Sequence, residues 1–547
     1  MARRIPSDIA QTSFEAIIIG AGINGAGVAR DAAMRGLRVL LLDKGDLASG
    51  TTSWSTRLIH GGLRYLEHGE VGLVRESLHE RETLLRIAPH LVKPLPLLIP
   101  IYEQGQRGAW TIRAGMIAYD LLSFDKSLER HHMLSREETI RRAPGLKREG
   151  LRGAALYYDA QVEYAERLVV ENALAAQEYG ATILTYARVD QVIQENGTAR
   201  GVRFTDLLDD GAYAAYAPVT VNVAGPWVDE ILATTTDHSA QRRMIGGTKG
   251  SHLIVNKFPG ASCDALYVEA LEDRRPFFII PWDNKYLIGT TDLRYEGDLD
   301  RVEADEQEID YLIRETNRLI PAAHLTRGSI LFTYSGVRPL AHRAERDEES
   351  ITRRHFVHDH APHADGLISI IGGKLTTYRN LAEQTVDTLF KKLGRKSPLC
   401  ATARTALPGG NTHDFQALSE RILTDSFLPP ATATRLLRVY GTRASSVLEL
   451  AAEGADLAEP FDTETGAIGA EILMSFRREM AETISDCLLR RTMVGMNAAC
   501  GLNAIEAAAK IGQKYLGWTG SRAEGEIAAY RKYIERFHPR ELAQARQ

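Results

Sequence analysis

The sequence has few cysteines, no long hydrophobic run and no excess of positive charge, and each absence bounds what the 547-residue chain can be. Cys263, Cys400, Cys487 and Cys500 lie far apart without any CxxC pair, so neither a zinc site nor a disulfide framework is indicated and a reducing cytoplasm is expected. No stretch reaches the roughly 18 consecutive apolar residues of a membrane-spanning helix. Peripheral contact stays open, because an amphipathic surface leaves a weaker trace. The opening MARRIPSDIAQTSFEAIIIGAG carries arginines but no apolar segment of signal-peptide length before glycines interrupt it, and it reads as a short arm leading into a strand. A net charge of -5 supplies no polybasic footprint, which argues against nucleic acid as the main partner.

What is present is an ordinary globular composition, 44% hydrophobic and 25% charged, at a length that favours two or three domains over one core. Phe14 to Ile19 is a short apolar run, Ile23 to Arg35 is alanine-rich with Gly36 as a stop, and Leu37 to Leu42 is a second buried-strand pattern. Strand, glycine turn, helix and strand in that order make a βαβ unit that opens a parallel sheet. Glu70 to Ile87 has apolar residues at helical spacing among charges and predicts an amphipathic helix. Arg167 to Tyr179 predicts another, and ATILTYARV and PVTVNVAG read as later strands of the same sheet.

Between about Ile231 and His360 the texture changes to HLIVNK, PFFIIPW, KYLIGTTDL and SILFTYSGVRPL, with one helical insert from Glu306 to Leu319. A mostly antiparallel layer is expected there. HLVKPLPLLIPIY (His90 to Tyr102) and WTIRAGMIAYDLL after it read as the interior of this second domain, with a lipid-facing patch as the alternative. GLISIIGGKLTTYRN then returns to strand, glycines and helix. A nucleotide-type domain is therefore expected from residues 1–90, 155–230 and 361–400, with 91–154 and 231–360 forming a substrate domain. Residues 405–547 turn helical and are expected to form a C-terminal domain that offers an interaction or homodimer surface.

Gly20, Gly22 and Gly25 form GxGxxG between a strand and a helix. Missing side chains there allow a tight turn and close approach of backbone to a pyrophosphate, whose charge the helix N-terminus favours. Asp43 ends the second strand, where a carboxylate can accept from ribose hydroxyls. Dinucleotide binding follows, without a choice between FAD and NAD. In NVAGPWVDE, Ala224 and Gly225 end a strand before Trp227, which reads equally as a core tryptophan. GGKLTTY can present helix N-terminal amides to an anion or be a plain helix start. Among the histidines, His68, His131, His132, His355, His358, His360 and His363 lie in polar runs without ligand spacing, and no metal site is expected.

AIIIGAGINGAG, SWSTRLIHGGLRYLEHG, NVAGPWVD, KGSHLIV, IGTTDL, YSGVRPL, ITR, GGKLTTYR and LLRRT together resemble the FAD-dependent glycerol-3-phosphate dehydrogenases, within the wider glycine oxidase and D-amino acid oxidase fold. The match runs from about residue 14 to about residue 500. It implies an α/β chain with a Rossmann-like FAD-binding domain of the glutathione reductase / D-amino acid oxidase type, a β-rich substrate domain and an α-helical C-terminal domain. FAD would be held by Gly20, Gly22, Gly25, Asp43, Thr52, Ser53, Ala224, Gly225, Gly373, Leu375 and Thr376. Asp43 stands where the family more often has glutamate, and the C-terminal region matches less closely than the FAD core.

The resemblance also implies oxidation of sn-glycerol 3-phosphate to dihydroxyacetone phosphate, with hydride leaving C2 for flavin N5 and electrons passing to ubiquinone or menaquinone at the cytoplasmic face of the inner membrane. An oxidase that reduces oxygen to hydrogen peroxide is the close alternative, and a flavin-binding scaffold without turnover is one of another class. Arg64, Tyr65, Arg338, Arg353 and Lys374 would bind the substrate; a guanidinium fork suits phosphate oxygens and a lysine adds a point charge. Oxidising an alcohol also needs a base for the hydroxyl proton, and histidine titrates near neutrality. His60, in RLIHGGLRYLEHG, takes that role by resemblance, with His252 of KGSH as its rival and Arg338 and Lys374 polarising the oxygen. Gly61 and Gly62 would bring backbone close to the isoalloxazine.

Overall fold

The computed structural model describes residues 5–67, 69–105, 108–236, 242–342, 354–412, 414–538 and 540. The chain enters through β1 (Ala16–Ile19), α1 (Ile23–Met34) and β2 (Val39–Leu42), then β3 (Leu58–Ile59), α2 (Arg64–Glu67), α3 (Val71–Ile87), β4 (Val92–Tyr102) and α4 (Ala109–Leu122). Strands β5 (His132–Ser135), β6 (Leu151–Val162), β7 (Thr182–Leu184), β8 (Ala187–Glu195), β9 (Thr198–Asp206), β10 (Ala212–Tyr216) and β11 (Val219–Asn222) follow. Beyond them come β12 (Thr248–Asn256), β13 (Ala265–Glu269), β14 (Pro276–Trp282), β15 (Lys285–Gly289), β16 (Leu293–Arg294), β17 (Ile330–Arg338), β18 (Phe356–Asp359) and β19 (Leu367–Ile371).

Every residue of β1, β2, β11 and β19 is buried, as strands covered on both faces require. They form a sheet of order β18-β19-β11-β1-β2-β7, parallel except for the β18 edge. Helices α1, Ala165–Glu178 and Tyr378–Lys392 pack together over it. The strands come from separate stretches of chain, and β18, expected in the substrate domain, joins this sheet antiparallel to β19.

The larger sheet has the order β16-β12-β15-β14-β13-β4-β6-β3, with β17 on β12 and β5 on β6. Helix Glu306–Leu319 lies where the sequence placed it. HLVKPLPLLIPIY is an interior strand of this sheet, β4, paired along its length with β6. Further details differ from expectation. The boundary expected at 154/155 runs through β6, and β3, expected in the nucleotide domain, pairs with β6 through Leu58–Gln161 and Ile59–Ala160. ATILTYARV is also not one strand. Tyr186 takes φ +56 and sends its hydroxyl to Asp486 (2.7 Å), so the chain turns out of β7 into a separate antiparallel sheet, β8–β10.

Among the described residues no helix is long and apolar enough to cross a membrane. The C-terminal helices are joined to the nucleotide domain by buried charge. Arg167 donates both Nη groups to Glu479 (2.5 and 2.8 Å), both side chains are inaccessible, and Arg443 pairs with the same carboxylate. Burial alone would raise the Glu479 pKa, but the attraction of Arg167 and Arg443 wins and holds it near 2. A carboxylate depressed in the native state stabilises fully above its unfolded value and loses that contribution as pH falls towards the native one. Glu479→Gln leaves Arg167 buried beside a neutral group and should cost about 3–5 kcal/mol. The expected readouts are a lower melting temperature, faster proteolysis between the two domains at neutral pH, and no dependence of that difference on salt. If wild-type and variant melt alike, the pair does not hold the domains together.

Candidate active site

The turn after β1 is closed too tightly for side chains. A Cβ on Gly25 would stand 1.8 Å from the Gly20 carbonyl oxygen, and one on Gly20, at φ +108, 2.6 Å from that of Val223. This turn forms one wall of a cavity of about 1120 Å³. Thr52 Oγ accepts from the Ile23 N–H (3.1 Å) and caps α1 beside Gly22. Asp43 reaches the same cleft and accepts from the Ala21 and Gly45 N–H groups (2.6 and 2.7 Å). Its burial raises its pKa against the pull of those amides, and carboxylate oxygens keep further lone pairs for ribose hydroxyls.

Ala224 and Gly225, at φ +60, line the cleft. So do Gly373 and Leu375; Gly373 has φ +102, and a Cβ there would lie 2.8 Å from Asn24 Nδ2. Ser53 differs from expectation. It is fully buried, its hydroxyl donates to the Ala48 carbonyl (2.7 Å), and it lines neither this cavity nor the one beside it. Among the described residues, three that line the cleft carry buried polar atoms without partners: Asn24 Oδ1, Trp227 Nε1 and Arg490 Nη1. A glycine cradle, an acidic strand end and orphaned polar atoms fit a dinucleotide.

A second cavity of about 310 Å³ meets the first along Thr51, Trp54, Gly336, Gly373, Lys374 and Leu375. Its lining includes Arg64, Arg275, Arg338 and Lys374, and among the described lining residues Asp292 is the one carboxylate. Arg338, at the end of β17, donates to Asp292 (2.9 Å) and Thr290 (3.0 Å). The guanidinium lies over Gly250 of KGSH, where a Cβ would stand 2.2 Å from Nη2. Arg275 lies 3.8 Å from the same aspartate, and Lys374 Nζ stands 3.8 Å from the centroid of the Tyr65 ring. The slightly acidic chain thus gathers cations in one small space. Arg353 and His68 lie outside the described residues.

His60 is half-buried in this cavity, edge-on to Phe278, and its backbone N–H donates to Thr376 Oγ (3.2 Å). Burial lowers its pKa to about 4, helped by Lys374 and Arg81 and opposed by Asp159, so the imidazole is neutral at pH 7. His252 is 1% exposed, with Nε2 on Thr56 Oγ (3.0 Å) and its ring against Tyr334. Burial and then Arg338 and Arg57 hold its pKa well below the usual value.

The two glycines after His60 have different tasks from those expected. Gly61 faces the core: its N–H donates to the Tyr119 hydroxyl (2.9 Å), and a Cβ would stand 2.5 Å from that oxygen. Tyr119 in turn donates to Asp159 (2.7 Å), which Arg81 also holds (2.6 Å). Gly62, at φ +76, lines the cavity and makes room for the Tyr65 ring. Sequence reasoning missed Tyr119, Asp159, Arg81, Arg275 and Phe278. Periodicity gives no signal for residues that meet only through folding; the one available signal was for Arg275, which ends a basic pair just before the apolar strand in RRPFFIIPW.

A family model described as FAD dependent oxidoreductase matches residues 15–379, and one described as the C-terminal domain of alpha-glycerophosphate oxidase matches residues 400–523. A glycerol-3-phosphate dehydrogenase of Synechocystis sp. is 46% identical over 538 residues, which cover 96% of this chain and 97% of its own. An aerobic glycerol-3-phosphate dehydrogenase of Staphylococcus haemolyticus is 33% identical, over 89% of this chain and 88% of its own. The solved structure of the glycerol-3-phosphate dehydrogenase from Bacillus halodurans complexed with FAD matches with a TM-score of 0.78 at 28% identity, covering 97% of this chain and 96% of that one. The cleft, the cationic cavity beside it and these matches along both parts of the chain agree, and the chain belongs to the FAD-dependent oxidoreductases, among the glycerol-3-phosphate dehydrogenases.

Proposed function

We propose that this chain oxidises sn-glycerol 3-phosphate to dihydroxyacetone phosphate, with His60 as proton acceptor, and that the electrons pass to a membrane quinone. The observation that carries the reading is the small cationic cavity that opens into the dinucleotide cleft across Gly373, Lys374 and Leu375. Arg338, Arg275, Lys374 and Arg64 would bind the phosphate, and Tyr65 keeps Lys374 over its ring. FAD, when bound, supplies the hydride acceptor. His60 takes the hydroxyl proton as the C2 hydrogen leaves, because a neutral imidazole is available at pH 7. A dianionic substrate among these groups raises the His60 pKa towards neutrality, which favours proton uptake once substrate is bound. His252 suits the role less, because Thr56 and Tyr334 enclose it.

The test is anaerobic bleaching of the yellow holoprotein. Glycerol 3-phosphate should bleach it and unphosphorylated glycerol should not. His60→Gln should slow bleaching by about 100- to 10,000-fold at unchanged FAD content, and Arg338→Ala should lower kcat/KM for dye reduction by about 10- to 100-fold, mainly through KM. Unchanged rates in both variants would remove the assigned roles, and a wild-type protein that never bleaches would favour the scaffold.

The acceptor has its own structural pointer. On α4, Ile112, Met116 and Tyr119 face the core, while Trp110 (80% exposed), Ile117 and Leu121 (70%) face outward, followed by Phe124 (78%). Arg113 lies beside the Trp110 ring. Interfacial aromatics, aliphatics and a cation on one face suit a bilayer surface, which supports a peripheral position at the cytoplasmic face of the inner membrane. WTIRAGMIAYDLL therefore serves two sides at once. With Trp110→Ala and Leu121→Ala combined, sedimentation with anionic liposomes and quinone reduction should fall while reduction of a soluble dye is kept. Stoichiometric peroxide release in air without quinone would instead favour the oxidase.

A further inference from the structure

The motif LLRRT, Leu488 to Thr492, has no part in the chemistry just described. Cys487–Arg491 forms a single π-turn, a wide turn often found at functional positions, and it lets two successive arginines reach one carboxylate. Arg491 donates both Nη groups to Asp46 (2.8 and 2.7 Å) and Nε to the Glu479 carbonyl (2.7 Å), and it lines neither cavity. Arg490 donates Nε to Asp46 (2.6 Å) and Nη2 to Asp486 (2.6 Å). Its Nη1 is buried without a partner. Arg490 is 3% exposed and lines the dinucleotide cleft.

A desolvated guanidinium N–H without an acceptor is costly, and the cleft is where an acceptor can come from. The end of the cleft follows from the neighbours. Asp46 lies three residues beyond Asp43, and Tyr186 bridges Gly45, through its N–H to that carbonyl (2.9 Å), and Asp486, through its hydroxyl (2.7 Å). These groups cluster at the acidic end of β2, which lies three strands along the sheet from β19, the strand that leads into Gly373 and Lys374. A carboxylate in that position serves the ribose on the adenosine side.

We propose that Arg490 donates through Nη1 to an oxygen of the adenosine half of FAD, so that the C-terminal domain forms part of the cofactor site and its docking is linked to cofactor binding. This rests on the reading that the cleft holds FAD. The adenosine half offers ribose and phosphate oxygens, and a charge-assisted bond to either is among the stronger kinds.

The test is equilibrium titration of FAD-stripped protein with FAD, followed by flavin fluorescence, and with ADP as a competitor. Arg490→Lys keeps a charge beside Asp46 and Asp486 but loses the fork. It should raise the dissociation constants of both FAD and ADP by about 10- to 100-fold. Arg491→Lys breaks the same Asp46 pairing from outside the cleft, and should lower the melting temperature of the stripped protein while leaving both dissociation constants within about 3-fold. In the wild-type chain, ADP should slow backbone hydrogen exchange across residues 485–492, a readout that survives if a variant fails to fold. Unchanged FAD affinity in Arg490→Lys, equal losses in both variants, an effect on FAD without one on ADP, or exchange that ADP leaves unaltered would each overturn the proposal. A wild-type chain that takes up no FAD would overturn the cofactor reading itself.

Discussion

The buried ion pair of Arg57 and Glu166 is the constraint on which the geometry of the site depends. Both Nη groups of Arg57 lie 2.7 Å from the Glu166 oxygens, and both side chains are inaccessible to solvent. Arg57 also donates to the Ser53 carbonyl (3.0 Å) and lies under the Trp282 ring, in a left-handed conformation at φ +61. Glu166 belongs to a helix over the parallel sheet, Trp282 ends β14 of the larger sheet, and Ser53 follows the capping residue Thr52. One side chain therefore fixes the segment from 52 to 60 to both layers. Removing either partner of such a pair leaves an uncompensated buried charge, so the segment has little freedom to move His60 relative to the cleft.

From that anchor the two sides of the reaction are arranged by different physics. The cofactor side is mostly backbone, with glycines at Gly20, Gly25 and Gly373 where a Cβ has no room and turn amides held by Asp43 and Thr52. The substrate side is mostly side-chain charge. Arg338 and Arg275 share Asp292, which orients them without neutralising the cavity, and burial, helped by Lys374 at His60 and by Arg338 at His252, lowers the pKa of both histidines. In the proposed reaction a cationic, partly dry cavity would hold the phosphate strongly, and the neutral imidazole of His60 would serve as the base once the anion is bound. Behind His60, Arg81, Asp159 and Tyr119 form a chain of bonds that ends on the Gly61 amide. Tyr119, the member that meets Gly61, belongs to α4, whose outer face carries Trp110 and Leu121, so the proposed membrane surface and the active-site loop meet on one helix.

Much of this was legible in local sequence. GAGINGAG places a helix N-terminus and a glycine cradle after a strand, because the missing Cβ atoms and the helical period are both local properties. The helix Glu306–Leu319 was legible for the same reason, since its apolar stripe lies within its own residues and its capping pair, Asp305 and Glu308, lies at its start. His60, Arg64, Arg338 and Lys374, named from resemblance to a family, come together in one cavity. Local reading failed where a partner distant in sequence decides the outcome. Ser53 turns to Ala48, Tyr186 breaks a seeming strand to reach Asp486, and β3 joins the larger sheet because Leu58 and Ile59 find Gln161 and Ala160.

The sequence by itself determined the elements and their chemistry: which runs are strands, where glycine is obligatory, and which cations and histidines are available. Only the tertiary structure decided their tasks. Gly61 and Gly62 are identical in sequence, yet one binds the core hydroxyl of Tyr119 and the other makes space for Tyr65 in the cavity. Arg490 and Arg491 are equally alike, and only one has an N–H left over beside the cleft. The reason is that propensity and pattern act over a few residues, whereas burial, pairing and pKa depend on groups brought together across more than 400 positions, as with Asp46 and Arg490 at a separation of 444.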